Sequence, residues 1–274
     1  MNASDEELID RLAAEVQASA KYQSISPALV RRIAAQELNK RANWKETVKS
    51  VRSRLHQVGA AYQEQGIAYA KALKILPTLP TDLQSPALRD FCRDLMRQHA
   101  STRERLPILD TFFTRILADL PPIHSVLDVA CGLNPLALPF MPLAPNATYS
   151  ACDIYQDLAD FLNQFFSHLG VPGTAAVCDL TETIPNQKVD LALVLKTLPC
   201  LEQIDKSITP RLLAGLQAHH VLVSFPAQSL GGRSKGMPAF YEAHFREQIA
   251  SQPWQIETFH FPGELAFLLT REDA

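Results

Sequence analysis

From about Leu106 onward the chain alternates short apolar runs with helical stretches, and that alternation limits it to few folds. The runs are HSVLDVA (124–130), TYSACD (148–153), TAAVCD (174–179), VDLALVLK (189–196) and HHVLVSFP (219–226). Each is bounded by turn formers and apolar nearly throughout, as parallel strands buried on both faces must be. The end of the chain breaks the pattern. WQIETFHF (254–261) and ELAFLLT (264–270) are separated only by a Pro-Gly turn, so they must pair antiparallel. The pattern predicts an α/β fold, a parallel sheet closed by a C-terminal antiparallel hairpin, with a helix over 109–120 leading into it.

Residues 1–105 carry a different period and read as an all-helical domain, leaving 106–274 as the sheet domain. Ser26-Pro27 has the form of a helix start, with proline at the first helical position before ALVRRIAAQELNKR. A second helix runs from about Trp44 to Tyr62, its stripe of Val48, Val51, Leu55 and Val58 following the spacing of one buried face. Lys45, Lys49, Arg52 and His56 fall on a neighbouring face and form a cationic ridge. Ile75–Pro86 reads as a loop, followed by a helix over 87–99. The formal charge of the whole chain is -3. Between Lys21 and His56, however, nine Lys/Arg face only Glu37 and Glu46. Such a local excess on an acidic protein points to an anionic partner met by one region.

Composition excludes several classes. With 47% hydrophobic and 20% charged residues the chain is neither disordered nor fibrous. No apolar run approaches the roughly 20 residues of a membrane helix. The start, MNASDEELIDRL, has no signal-peptide pattern. Five cysteines include no C-x-x-C pair. They read as reduced thiols of a cytoplasmic protein, with no metal.

The informative stretch is VLDVACGLNPLALP (126–139), a strand, a turn and a helix start. Gly132 permits a tight turn where a ligand must approach, and the helix N-terminus beyond offers free N–H groups. The G-x-G-x-x-G of dinucleotide enzymes is missing, which disfavours an oxidoreductase. Acids end three successive runs, Asp128, Asp153 and Asp179. Asp153 is placed for ribose hydroxyls, and Asp179 for an adenine amino group.

Together with several further strings, these residues resemble the aminoglycoside-resistance 16S rRNA methyltransferases that act on N7 of the decoding-site guanine 1405. The strings are KYQSISPALVRRI (21–33), VRSRLHQVGAAY (51–62), HASTRERLPILD (99–110), LDVACGLNPLALP (127–139), CDIY (152–155), LKTLP (195–199) and SFPAQSLGGRSKGM (224–237). The resemblance implies a Rossmann-like class I methyltransferase sheet and S-adenosyl-L-methionine as cofactor. It implies as partner the decoding-site helix of 16S rRNA in the assembled 30S subunit, and as outcome resistance to kanamycin- and gentamicin-type drugs. Carried over, Arg105 pairs with the cofactor's carboxylate, and His99 and Ser101 shape the same wall. Ala130, Gly132 and Asn134 form the cofactor loop, Asp153 and Ile154 meet the ribose, and Asp179 and Leu180 meet the adenine. Lys196 and the Ser224–Pro226 stretch face the methyl and the target base. Phe225 and Phe240 are the two candidates for stacking on that base. Arg31, Arg32, Lys45, Lys49, Arg52, Arg233 and Lys235 contact RNA, while Gln228 stands where family members carry Arg or Lys. The alternatives are a methyltransferase of this fold acting on another RNA or rRNA position, such as a nearby adenine N1, and a non-catalytic ribosome-binding relative.

Overall fold

The apolar runs form the strands of one sheet. In the computed structural model, which describes residues 3–40, 43–57, 66–227 and 237–271, these are β1 (Ser125–Val129), β2 (Thr148–Asp153), β3 (Gly173–Val177), β4 (Val189–Leu195) and β5 (Ala218–Pro226). The two last runs are β6 (Trp254–Phe261) and β7 (Glu264–Arg271). Their order is β3-β2-β1-β4-β5-β7-β6. The first five strands pair in parallel, while β7 runs antiparallel to both β5 and β6. This is the expected sheet with its hairpin. Register sets Pro226 opposite Glu264, so the start of β7 arrives at the carboxyl end of β5.

Side chains alternate across the sheet and divide the core in two. Val126, Tyr149, Leu191, Leu193 and Leu222 face one way, and Leu127, Val129, Ala192, Val194 and Val223 the other. The second face is covered by α9 (Leu198–Leu201), α10 (Ile208–Gly215) and α11 (Met237–Ile249). On the first face lie α7 (Leu109–Ile116) and α8 (Gln156–Leu169). In α8, Leu158, Phe161, Leu162, Phe165, Phe166 and Leu169 form the buried stripe, and Gly170, at φ +64°, ends it in a left-handed cap.

The helical half adds α1 (Ala3–Gln17), α2 (Pro27–Leu38), α3 (Trp44–Leu55), α4 (Tyr69–Ile75), α5 (Pro86–Met96) and α6 (Ala100–Arg105). Leu12 and Val16, Val30 and Ile33, and Val51 and Leu55 bring the first three together, in a core continuous with the first sheet face. Backbone bonds stitch this half to the sheet beside Asp153. Ser26 N donates to Ile154 O, and Gln156 N to Ser24 O, each at 2.8 Å.

Some expectations shift. Ser26 occupies the N-cap of α2 but its side chain makes no cap bond; its backbone N–H is spent on Ile154 instead. Asn43 caps α3 properly, accepting from Lys45 N and Glu46 N. Residues 58–62 of the second expected helix lie outside the described residues, and α7 stops at Ile116 rather than 120. No regular α-helix follows Gly132. Pro135 and Pro139 cannot donate to a helical ladder, and Asn134–Phe140 forms a 3-10 helix. Among the described residues, no helix is long and apolar enough to cross a membrane.

Candidate active site

In a sheet of this order, strands leave β1 in opposite directions, and a crevice opens beyond their carboxyl ends at that switch point. There the chain builds a cleft of about 690 Å³, including its open mouth. Backbone strain marks its floor: Ala130, Gly132 and Lys196 have φ of +48°, +49° and +57°. Each non-glycine residue in that region costs on the order of 1–3 kcal/mol and persists only where packing enforces it. Gly132 meets two demands at once. Its φ favours glycine, and a Cβ there would lie 2.9 Å from His99 Cε1.

Nine of the residues expected at the cofactor line this cleft: His99, Ser101, Ala130, Gly132, Asp153, Ile154, Asp179, Leu180 and Lys196. Asp153 is held by its own turn, with Oδ2 accepting from Gly132 N at 2.8 Å and Oδ1 from Ile154 N at 2.7 Å. Burial raises its carboxyl above the usual range, while those N–H groups pull the other way. Each oxygen keeps a lone pair for a ligand hydroxyl. His99 holds Ser101 Oγ at 2.9 Å from Nδ1. Burial, with Arg103, Arg105 and Lys196 nearby, lowers its pKa to about 4, so the ring is neutral at neutral pH.

Arg105 and Asn134 do not line the cleft. The guanidinium of Arg105 is only 1% exposed. It donates to Glu264 from Nη2 at 2.6 Å and from Nε at 3.1 Å, and to Asn134 Oδ1 from Nη1 at 2.8 Å. The expected anion partner is thus an internal one. Asn134 passes the chain on to Asp128 Oδ2 at 2.8 Å, which also accepts from Tyr149 Oη at 2.7 Å. Burial outweighs those bonds and pushes the Asp128 carboxyl up to about 7. Asp128 is therefore a buried structural acid beneath the loop.

Glu264 is the residue that sequence reasoning misses. Besides Arg105 it holds Lys196 Nζ at 3.2 Å, and Lys196 also reaches Glu104 at 2.9 Å and Ser101 O at 3.2 Å. Burial alone would raise the Glu264 carboxyl, but Arg105 and Lys196 outweigh it and hold it low. The available signal is one carboxylate opening an otherwise apolar strand, ELAFLLT.

Phe225 is not a stacking platform. It is 3% exposed and packs among Tyr241, Phe245 and Phe267 in the second core. The β5 end turns its side chain to the sheet face, not into the cleft. Phe240 is the open aromatic, 65% exposed and stacked on His244. Of the expected RNA contacts, Lys45 and Lys49 are exposed. Arg52 donates to Glu15 O at 3.2 Å. Arg31 pairs with Glu6 and Asp10, and Arg32 turns inward to Asp179. Arg233, Lys235 and Gln228 lie outside the described residues. Among the described residues no cluster of His, Cys, Asp or Glu is arranged to hold a metal.

Comparison with known proteins agrees with this fold. The family model described as ribosomal RNA methyltransferase (FmrO) matches residues 18–268. A 16S rRNA (guanine(1405)-N(7))-methyltransferase of Frankia casuarinae is 36% identical over 98% of this chain and 95% of its own. One of Serratia marcescens is 36% identical over 93% and 95%. Among solved structures, the 16S rRNA methyltransferase RmtF in complex with S-adenosyl-L-homocysteine superposes with a TM-score of 0.80 at 30% identity, covering 99% of this chain and 100% of that one. The 16S rRNA methylase RmtB gives 0.78 at 30% identity, over 96% and 98%.

Proposed function

Because this chain belongs to the ribosomal RNA methyltransferase (FmrO) family, we infer that it transfers a methyl group from S-adenosyl-L-methionine to N7 of guanine 1405 in 16S rRNA. The observation that carries this reading is the span of the match, residues 18–268. It takes in the basic helices as well as the cofactor sheet, so likeness extends to the parts that choose a substrate. The substrate form we favour is the assembled 30S subunit, because a rigid helical half carrying Lys45 and Lys49 suits phosphates already held in register by a folded particle. Methylation there would confer resistance to kanamycin- and gentamicin-type drugs, by clash and by the positive charge added to the major-groove edge.

The cleft fits the cofactor. Asp153 offers two oriented carboxylate oxygens to a ribose, Gly132 leaves room for close backbone approach, and Asp179 and Leu180 stand where a purine would lie. When bound, the sulfonium supplies an already activated methyl. Guanine N7 carries an unprotonated lone pair, so the chain has no proton to remove, and the neutral His99 need not act as a base. What the residues contribute is alignment of the reacting atoms, worth several kcal/mol when donor and acceptor are held about 3–3.5 Å apart. Lys196, held on the cleft floor by Glu264 and Glu104, is the group we place against guanine O6 as N7 becomes cationic. Phe240 takes the place of Phe225 as the surface on which an extruded base stacks.

Purified 30S subunits and naked 16S rRNA, each incubated with enzyme and methyl-labelled cofactor, test the reading. Label should enter the subunits and scarcely enter the free RNA. Equal labelling of both would refute the assembled substrate, and no labelling of either would refute the activity.

A further inference from the structure

Arg32 belongs to the basic pattern of the N-terminal helices, yet its guanidinium is turned inward. From α2 it crosses to the loop after β3, where Nε and Nη2 both donate to Asp179 Oδ2, at 3.2 and 2.7 Å. Nη2 also donates to Thr181 Oγ1 at 2.5 Å, and Nε lies 3.2 Å from Glu182 Oε1. The other oxygen of Asp179, Oδ1, accepts from Thr181 N at 3.0 Å and from Thr181 Oγ1 at 2.6 Å.

A carboxylate offers about four lone-pair positions, and these four donors fill them. An adenine amino group arriving at Asp179 therefore meets an acid with no acceptor to spare. One pair of donors must yield, and it is not the pair from Thr181. Those two are fixed by adjacency in the same turn as Asp179. Arg32 comes from a different element and already has a second acceptor, Glu182, within reach of Nε. Arg32 also sits beside Arg31 on the helix that brings the basic half to the sheet.

We propose that Arg32 is shared between Asp179 and the phosphate backbone of docked rRNA, so that cofactor adenine and RNA each release it for the other. The proposal rests on the reading above, that the cleft takes S-adenosyl-L-methionine and the helices take 16S rRNA. A phosphate that draws the guanidinium outward opens Oδ2 to the adenine amino group. An adenine seated on Oδ2 frees the guanidinium for a phosphate. Linkage makes the two effects equal: whatever factor RNA adds to cofactor affinity, cofactor adds to RNA affinity. Arg32 is then a positioning residue that reports at one site on the occupancy of the other.

The test compares S-adenosyl-L-homocysteine with its analogue bearing hydrogen in place of the purine 6-amino group, by calorimetry on wild type, Arg32→Met and Arg32→Lys. Removing the competing donors should raise the affinity ratio of the amino-bearing ligand over the analogue by about tenfold in Arg32→Met, the value of one charge-assisted hydrogen bond. The rise should be smaller in Arg32→Lys, which keeps a donor. If Arg32 only braces α2, both ligands weaken alike and the ratio stays put, which overturns the proposal. Should Arg32→Met fail to fold by circular dichroism, the ratio in Arg32→Lys carries the same decision. Wild-type binding to 30S subunits should tighten with saturating S-adenosyl-L-homocysteine, and that gain should vanish in Arg32→Met and shrink in Arg32→Lys; a gain of equal size in all three proteins overturns the proposal. Wild type binding neither ligand would bring down the cofactor reading itself, whereas binding of both with an unchanged ratio brings down only the role of Arg32.

Discussion

Glu264→Gln removes one negative charge from between two buried cations. The Glu264 side chain is 0% exposed, Arg105 1% and Lys196 3%. Breaking a buried pair by deleting one partner typically costs 3–5 kcal/mol, because the remaining charge stays desolvated. Two features place this case at the low end. A glutamine oxygen can still accept from Arg105, and Glu104, partly solvated, continues to hold Lys196 at 2.9 Å. The expected loss is therefore about 3 kcal/mol, a large share of the 5–15 kcal/mol typical of folded proteins. With a urea slope of about 3 kcal/mol/M the unfolding midpoint falls by about 1 M. The fluorescence of Trp44 and Trp254 can follow it. Arg31→Ala is the control, since its pairs with Glu6 and Asp10 are well solvated and surface pairs contribute at most about 1 kcal/mol. The two variants should differ by at least about threefold in free energy. Acid should mimic the substitution. The Glu264 carboxyl is held below its unfolded value, so its contribution is complete above the ordinary carboxylate range and fades as pH falls below it. A midpoint shift no larger than that of Arg31→Ala would refute the reasoning.

Gly132→Ala should fold yet bind S-adenosyl-L-homocysteine at least about tenfold more weakly, as the left-handed φ and the approach to His99 together cost on the order of 2 kcal/mol; unchanged affinity by calorimetry would contradict it. Asp153→Ala should lose a comparable factor or more, each hydrogen bond to a charged group contributing about 1.5–3 kcal/mol, and wild-type affinity in the folded variant would mean that another acid holds the ribose. Asp128→Asn should flatten the pH dependence of stability. The wild-type carboxyl rises to about 7 on folding, so its contribution is full below about 3.9 and is lost as pH climbs through about 7; an unaltered urea-midpoint profile between pH 4 and 8 would count against a buried neutral acid. Reversing Lys45 and Lys49 to Glu should spare cofactor binding and abolish binding to 30S subunits, with a shallower salt dependence in single variants; subunit binding as tight as wild type would leave these lysines as a solvated face.

β1, β4, β5 and β7 are legible in the sequence because burial on both sides leaves continuous apolar runs, and of the more exposed strands β2 and β6 match their expected limits residue for residue. Gly132 and Asp153 are legible for a related reason: a tight turn and an acid at a strand end leave local marks. What escapes is set by distance in sequence. Arg105 and Glu264 are 159 residues apart, and nothing near either one announces the other, so the guanidinium reads as an open fork for a ligand. Arg32 and Asp179 are 147 apart, and the same blindness makes Arg32 look like a free surface cation. Phe225 illustrates a further limit. A strand alternates its faces, and the cleft sits at the strand's end, so a one-residue difference decides between core and site. The helix expected after Gly132 fails locally, and Pro135 and Pro139 could have warned of it.

Methylation at N7 of guanine 1405 can be read directly from the RNA. Small subunits from a susceptible bacterium expressing this chain can be treated with borohydride and aniline, which cleaves RNA at N7-methylguanine, and the break located by reverse transcription. Cleavage at guanine 1405, absent from cells expressing Asp153→Ala, is the expected result. No cleavage there, with methylation instead at a neighbouring adenine and resistance to apramycin rather than kanamycin, would contradict it.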